Sequence, residues 1–260
     1  LGELEALVAF RRHLHRMPEL SGHEATTAAE VVEFTRLSRP DMTIRGLGGH
    51  GVALVFDGGA PGPVVMIRAE LDALPIAETT VADWRSGVPG RGHLCGHDGH
   101  MTILAGLAGR LGQKRPARGR VVLLFQPAEE DGSGAAAVLQ DPQFAAIRPD
   151  FGFSLHNLPG LPLGHAVMEP GPANCASVGM RLAFAGRTAH AAEPHKAISP
   201  ANAVARLVPL LSGLGTGGAL DADFRLVTVT HLSVGEPAFG ITPGAGELWA
   251  TLRCLTDGNM

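Results

Sequence analysis

Hydrophobic and polar positions along the first two thirds of the chain switch between two periods. In residues 3–17, Leu4, Leu7, Val8 and Leu14 recur at helical spacing, and Pro18 closes the stretch. A second helical pattern covers residues 24–37 and stops at the turn residues Ser38-Arg39-Pro40-Asp41. Residues 52–56 are apolar and β-branched, and Asp57-Gly58-Gly59 and Pro61-Gly62-Pro63 punctuate the turn before a second strand over 64–67. A helix is predicted over 98–111, with Met101, Leu104, Ala105 and Ala108 on one face. Residues 121–125 are apolar without a break, the pattern of a strand covered on both faces. A helix over 133–139 and a short strand over 151–155 follow. Strands alternating with helices up to about Glu169 predict a layered α/β domain.

The pattern changes after Pro170-Gly171-Pro172. Residues 177–184 alternate like a half-buried strand, and 198–211 read as a helix with Pro200 in its first turn. Residues 225–232 and 247–255 are further alternating strands. A strand, a helix and two strands predict a smaller α+β domain whose sheet has one covered face. The expected division is residues 1–172 and 173–260.

Composition narrows the function classes. With 260 residues, 45% of them hydrophobic and 18% charged, the chain can bury a sizeable core. The net charge is −4 and no basic stripe appears, which argues against a nucleic-acid partner. Apolar runs are strand-length, so no membrane span is expected. The first residues lack the pattern of a secretory signal. Cys95, Cys175 and Cys254 are far apart and odd in number, arguing against a disulfide framework and for a reducing, cytoplasmic compartment.

The densest chemistry lies in Gly92-His93-Leu94-Cys95-Gly96-His97-Asp98-Gly99-His100. A thiolate and an imidazole two residues apart suit zinc- or manganese-like ions; the competing reading is a Gly-rich loop whose histidines cap the next helix. Three further segments follow strands: Arg68-Ala69-Glu70-Leu71-Asp72, Gln126-Pro127-Ala128-Glu129-Glu130, and His156-Asn157. Ligands of open α/β sheets sit outside the carboxyl ends of strands, so these groups could share one rim. Each has a plainer reading. Glu129 and Glu130 could be solvated, His156 a core-edge histidine, and Asp72 a turn residue. Adjacent residues of a strand face opposite ways, so both glutamates reach one site only if the chain bends, for which Asp131-Gly132-Ser133-Gly134 offers a turn. Metal-assisted hydrolysis uses such a set, with one glutamate as ligand and its neighbour as base, and any carboxylate that touches a ligand histidine orienting it.

In this order, these residues resemble the zinc-dependent aminoacylase–amidohydrolase–carboxypeptidase superfamily, above all its hippurate hydrolase and auxin–amino-acid-conjugate hydrolase branch. The resemblance rests on five segments besides the glutamate pair. They are Arg11-Arg12-His13-Leu14-His15-Arg16-Met17-Pro18-Glu19-Leu20, Arg68-Ala69-Glu70-Leu71-Asp72-Ala73-Leu74-Pro75, Cys95-Gly96-His97-Asp98-Gly99-His100, Leu155-His156-Asn157, and Gly186-Arg187-Thr188-Ala189-His190. It implies a metallopeptidase-like catalytic domain with an inserted ferredoxin-like lid and dimerisation domain. It also implies a pair of divalent ions (Zn or Mn, with Co or Ni possible) held by Cys95, His97, Glu130 and His156. Glu129 is then the general base, with Asp72 beside it among the catalytic residues. His190 and Arg253 bind the substrate, an N-acyl amino acid. The alternatives are a dipeptidase or aminopeptidase of the same superfamily, or a truncated, non-catalytic homologue.

Two departures stand out. Glu70 replaces the aspartate usual in that motif, and Gly240 stands where relatives carry a substrate-binding asparagine. The resemblance further implies that relatives continue past Met260, through the rest of the lid to closing elements with a last ligand histidine, so that the C-terminal part is missing here.

Overall fold

The two runs that read as apolar on consecutive positions become the middle of a five-stranded sheet. The computed structural model describes residues 2–168 and 170–260, and the limit expected at Glu169 falls outside them. Two units separate, Leu1–Leu161 and Pro162–Met260. In the first, β1 (Met42–Leu47), β2 (Gly51–Asp57), β3 (Val64–Glu70), β4 (Arg120–Gln126) and β5 (Phe151–Ser154) lie in the order β1-β2-β4-β3-β5. β1, β2 and β4 pair antiparallel, whereas β3 runs parallel to both β4 and β5.

Burial explains why the central strands lack alternation. On one face Val52, Leu54, Phe56, Leu123 and Phe125 pack beneath α1 (Glu3–Arg16), α2 (Ala25–Thr35) and α3 (His97–Gln113). On the other, Ala53, Val55, Val122 and Leu124 pack with Val138 of α4 (Gly134–Gln140) and Ile147 of a short 3₁₀ segment. Both faces are dry, so every position selects an apolar residue. Each large side chain buried in this way contributes roughly 1.5–3 kcal/mol.

β1 is a strand that the sequence pattern does not predict. Its register slips between Arg45 and Leu47 at Gly46, whose φ is +75°, so the inward residues Ile44 and Leu47 are three apart instead of two. β3 also runs three residues beyond the expected 64–67, which places Glu70 on the strand itself.

In the second unit, β6 (Ala176–Ala185), β10 (Ala245–Cys254) and β8 (Arg225–Val234) form an antiparallel sheet in that order. α5 (Ala201–Ser212) covers one face, where Val204, Leu248 and Ala250 are buried. Trp249 alternates to the open face. Pro200 lies just before α5 and not in its first turn. A two-residue ribbon pairs β7 (Ala189–His190) with β9 (Ile241–Thr242). No described helix is long and apolar enough to cross a membrane.

Candidate metal centre

Because β3, β4 and β5 are mutually parallel, their carboxyl ends emerge together. There β3 delivers Glu70 and leads to Asp72, β4 leads to Glu129 and Glu130, and β5 to His156. α3 starts at the same rim, with His97 as its first residue and Cys95 in the loop before it. Gly96 between them has φ +92°, a left-handed geometry that favours glycine.

His97 is buried and its orientation is fixed. Nδ1 donates to the Asp72 carbonyl at 2.9 Å, so Nε2 is the nitrogen that carries the lone pair when the ring is neutral. That nitrogen faces Glu130 Oε1 at 3.7 Å and Glu129 Oε2 at 3.8 Å. His97 Nε2 and Glu130 Oε1 are both buried without a hydrogen-bond partner among the described residues. Leaving a buried polar atom unpaired costs about 1–3 kcal/mol. Two such atoms aimed at each other fit a cation better than they fit a core. Cys95 Sγ lies 3.3 Å from His156 Nε2, and His156 Nδ1 donates to the Asn157 carbonyl at 2.9 Å.

Among the described residues, three sets of donor atoms lie close enough to share an ion: Cys95, His97 and His156; His97, Glu129 and Glu130; and Glu70, His97 and His100. The third differs from the others. His100 Nδ1 already donates to Glu70 Oε2 at 2.8 Å, so those two groups satisfy each other.

The electrostatics also suit a cation. Burial pushes the Cys95 thiol up, and the negative charges of Glu130, Glu129 and Glu70 take it to about 12. Burial likewise raises Glu130, opposed by the charge of His97 and reinforced by that of Glu129. The donor set repels itself, and a divalent ion would cancel that repulsion. Asp72 behaves differently. Burial pulls its carboxyl upward, but hydrogen bonds from His97, the Glu130 N–H and Ser21 outweigh burial and bring it down to about 2. Its Oδ2 accepts Ser21 Oγ at 2.7 Å and the Glu130 N–H at 2.9 Å.

The bend that brings both glutamates to the rim lies earlier than the sequence suggested. It falls at Ala128, φ +48°, before the pair, and not only at Asp131–Gly134 after it. The Ala128 N–H donates to the buried carboxylate of Glu24 at 2.7 Å.

Cys95, His97, Glu129, Glu130, His156 and Asp72 thus meet in the first unit. His190 and Arg253 belong to the second, His190 exposed on β7 and Arg253 half-buried on β10. Sequence reasoning gave no role to His100, Asn157 or Glu24. The signal for His100 was its place one helical turn after His97; for Glu24 there was none.

An α/β sheet with this donor set on its parallel strand ends has the form of a metallohydrolase centre. The sequence model of peptidase family M20/M25/M40 matches residues 66–255, and the chain belongs to that family. It is 33% identical over 249 residues to an N-acetyl-L-cysteine deacetylase of Bacillus subtilis (strain 168), covering 95% of this chain and 59% of the relative. It is 32% identical over 250 residues to IAA-amino acid hydrolase ILR1-like 5 of Arabidopsis thaliana, covering 96% and 56%. The solved structure of the Bacillus subtilis YXEP protein, described as a dinuclear metal binding peptidase from the M20 family, superposes with a TM-score of 0.72 at 28% identity. That match covers 99% of this chain and 66% of the other. The chain therefore spans less than two thirds of the two curated relatives' lengths, at 59% and 56%.

Proposed function

We propose that this chain carries the catalytic centre of a metal-dependent amidohydrolase that cleaves the amide bond of an N-acyl amino acid. The facing, unpartnered His97 Nε2 and Glu130 Oε1, 3.7 Å apart beside Glu129, carry the reading. Cys95, His97, Glu130 and His156 would hold a pair of divalent ions, zinc or manganese, with cobalt or nickel as substitutes. When bound, such ions lower the pKa of a coordinated water and polarise the scissile carbonyl. Glu129 takes the water's proton and passes it to the leaving nitrogen. Asp72 keeps His97 aimed and anchors the Glu130 backbone through its N–H.

In the second unit, His190 binds near the scissile amide and the Arg253 guanidinium receives the substrate carboxylate, for which its planar fork is suited. The activities after which the relatives are named, those of an N-acetyl-L-cysteine deacetylase and an IAA-amino acid hydrolase, support an amide substrate of this type, with hippurate-like conjugates included. The protein acts in the cytoplasm as a homodimer joined through the second unit.

The test is Glu129→Gln in the purified protein, assayed for release of free amino acid from N-acetyl, N-benzoyl and indoleacetyl conjugates. kcat is expected to fall about 10²–10⁴-fold, with metal content equal to wild type. A fully active variant overturns the role of Glu129. A metal-loaded wild type inert toward every N-acyl amino acid overturns the function.

A further inference from the structure

His156 occupies the least supported position of the rim. It follows β5, the edge strand of the sheet, whose four residues are all exposed. The His156 ring packs edge-on against those of His100 and His97, with centroids 4.7 Å and 6.2 Å away, and a metal ligand must be held to within a few tenths of an ångström.

The support comes from α3, through Asn157. The Asn157 carbonyl accepts His156 Nδ1–H at 2.9 Å, which leaves Nε2 presented to Cys95 Sγ. Asn157 is itself tied to His100. Its N–H lies 3.2 Å and its Oδ1 2.7 Å from His100 Nε2. Two polar atoms of Asn157 thus converge on one ring nitrogen of His100. His100 is buried, and its Nδ1 donates to Glu70 Oε2 at 2.8 Å. The other oxygen of Glu70 accepts from Arg68 Nη1 at 2.5 Å, and Arg68 Nε donates to Gln126 Oε1 at 2.9 Å. A continuous run of hydrogen bonds thus links β4, β3 and α3 to the segment after β5. The same amide sits close against the loop before α3, where a Cβ on Gly96 would lie 2.4 Å from Asn157 Oδ1.

We infer that His100 is a positioning residue for His156. Held by Glu70 and Arg68, it fixes Asn157, and Asn157 fixes the tautomer and direction of the His156 ring. His97 and His100 share one helical turn, so the same rigid element sets both ligand histidines. The inference rests on the metal reading above.

The test is titration of the purified wild type and variants with Co²⁺ alone, followed by the thiolate-to-cobalt absorption that reports Cys95, with metal-free melting recorded on the same samples. His100→Ala and His100→Asn, which both lose contact with Asn157, are expected to weaken Co²⁺ binding about 10–100-fold. His100→Gln, whose amide reaches Asn157, is expected to restore binding close to wild type. If His100→Ala does not fold, the exposed Asn157→Ala severs the side-chain tie and is expected to lose affinity in the same direction.

A role in packing alone would lower all the melting temperatures and leave Co²⁺ affinities alike. Equal affinities for the Ala, Asn and Gln variants therefore overturn the inference while the metal reading stands. A cobalt signal unchanged by Cys95→Ala overturns the metal reading, and this inference with it.

Discussion

His97 and Asp98 are neighbours on one turn of α3, and their surroundings are opposite in character. Asp98 is fully buried, and its Oδ2 accepts Arg11 Nε at 2.7 Å and His15 Nδ1 at 2.8 Å, both from α1. His15 Nε2 reaches Glu78 Oε1 at 3.2 Å, and Glu78 in turn accepts the Ser86 N–H and Thr80 Oγ1. Two cations face two anions. The hydrogen bond to Asp98 raises His15, more than burial lowers it. On the other side, His97 faces Glu129 and Glu130, with Asp72 and Glu70 close by and a thiol pushed up to about 12. A buried cluster whose charges sum to zero stabilises itself. One whose carboxylates outnumber its cations is completed by something else, and that asymmetry separates the site from its support.

Breaking the balanced cluster should produce the largest stability loss. Asp98→Ala leaves Arg11 and His15 facing each other without their shared anion. Such a change typically costs about 3–5 kcal/mol, read from denaturant unfolding of the metal-free protein. A loss well under 1 kcal/mol would mean that this cluster is no more than a solvated surface network.

Metal removal should sharpen the contrast from the other side. A ligand held at 100 times its Kd stabilises by about 2.7 kcal/mol. Chelation is therefore expected to lower the melting temperature of wild type, and to do so by much less in Glu130→Gln. Equal shifts in the two proteins would show that the ions bind away from this rim.

The smallest expected effect is a pH dependence confined to the balanced cluster. Burial raises Glu78, but hydrogen bonds from the Ser86 N–H, Thr80 and His15 prevail and bring it from the ordinary 4.5 to about 2. Its stabilising contribution is complete above pH 4.5 and is lost as pH falls toward 2. Glu78→Gln should flatten that part of the melting curve against pH. Parallel profiles for variant and wild type over this window would remove Glu78 from the cluster.

What the sequence shows and what it hides follow distance along the chain. The loop and helix start at Cys95 and His97 are legible because the two donors lie within three consecutive residues. The doubly covered strands are legible because neither face alternates. β1 is hidden because the bulge at Gly46 breaks its period of two. The partnerships are hidden because nothing local encodes them: Glu70 and His100 are 30 residues apart, His15 and Asp98 are 83, and Glu24 and Ala128 are 104. The donor residues that gather at the rim could be read. The residues that hold them in place could not.

Ala128 carries a further consequence. A left-handed backbone costs an alanine roughly 1–2 kcal/mol that a glycine would not incur, and here the turn is clamped by Glu24 on one side and by the Gly134 N–H on the other. Glycine would relax the turn but widen the range of shapes open to it. The methyl group therefore acts as a stiffener, so at this position heat resistance and accurate aim of the two glutamates pull in opposite directions.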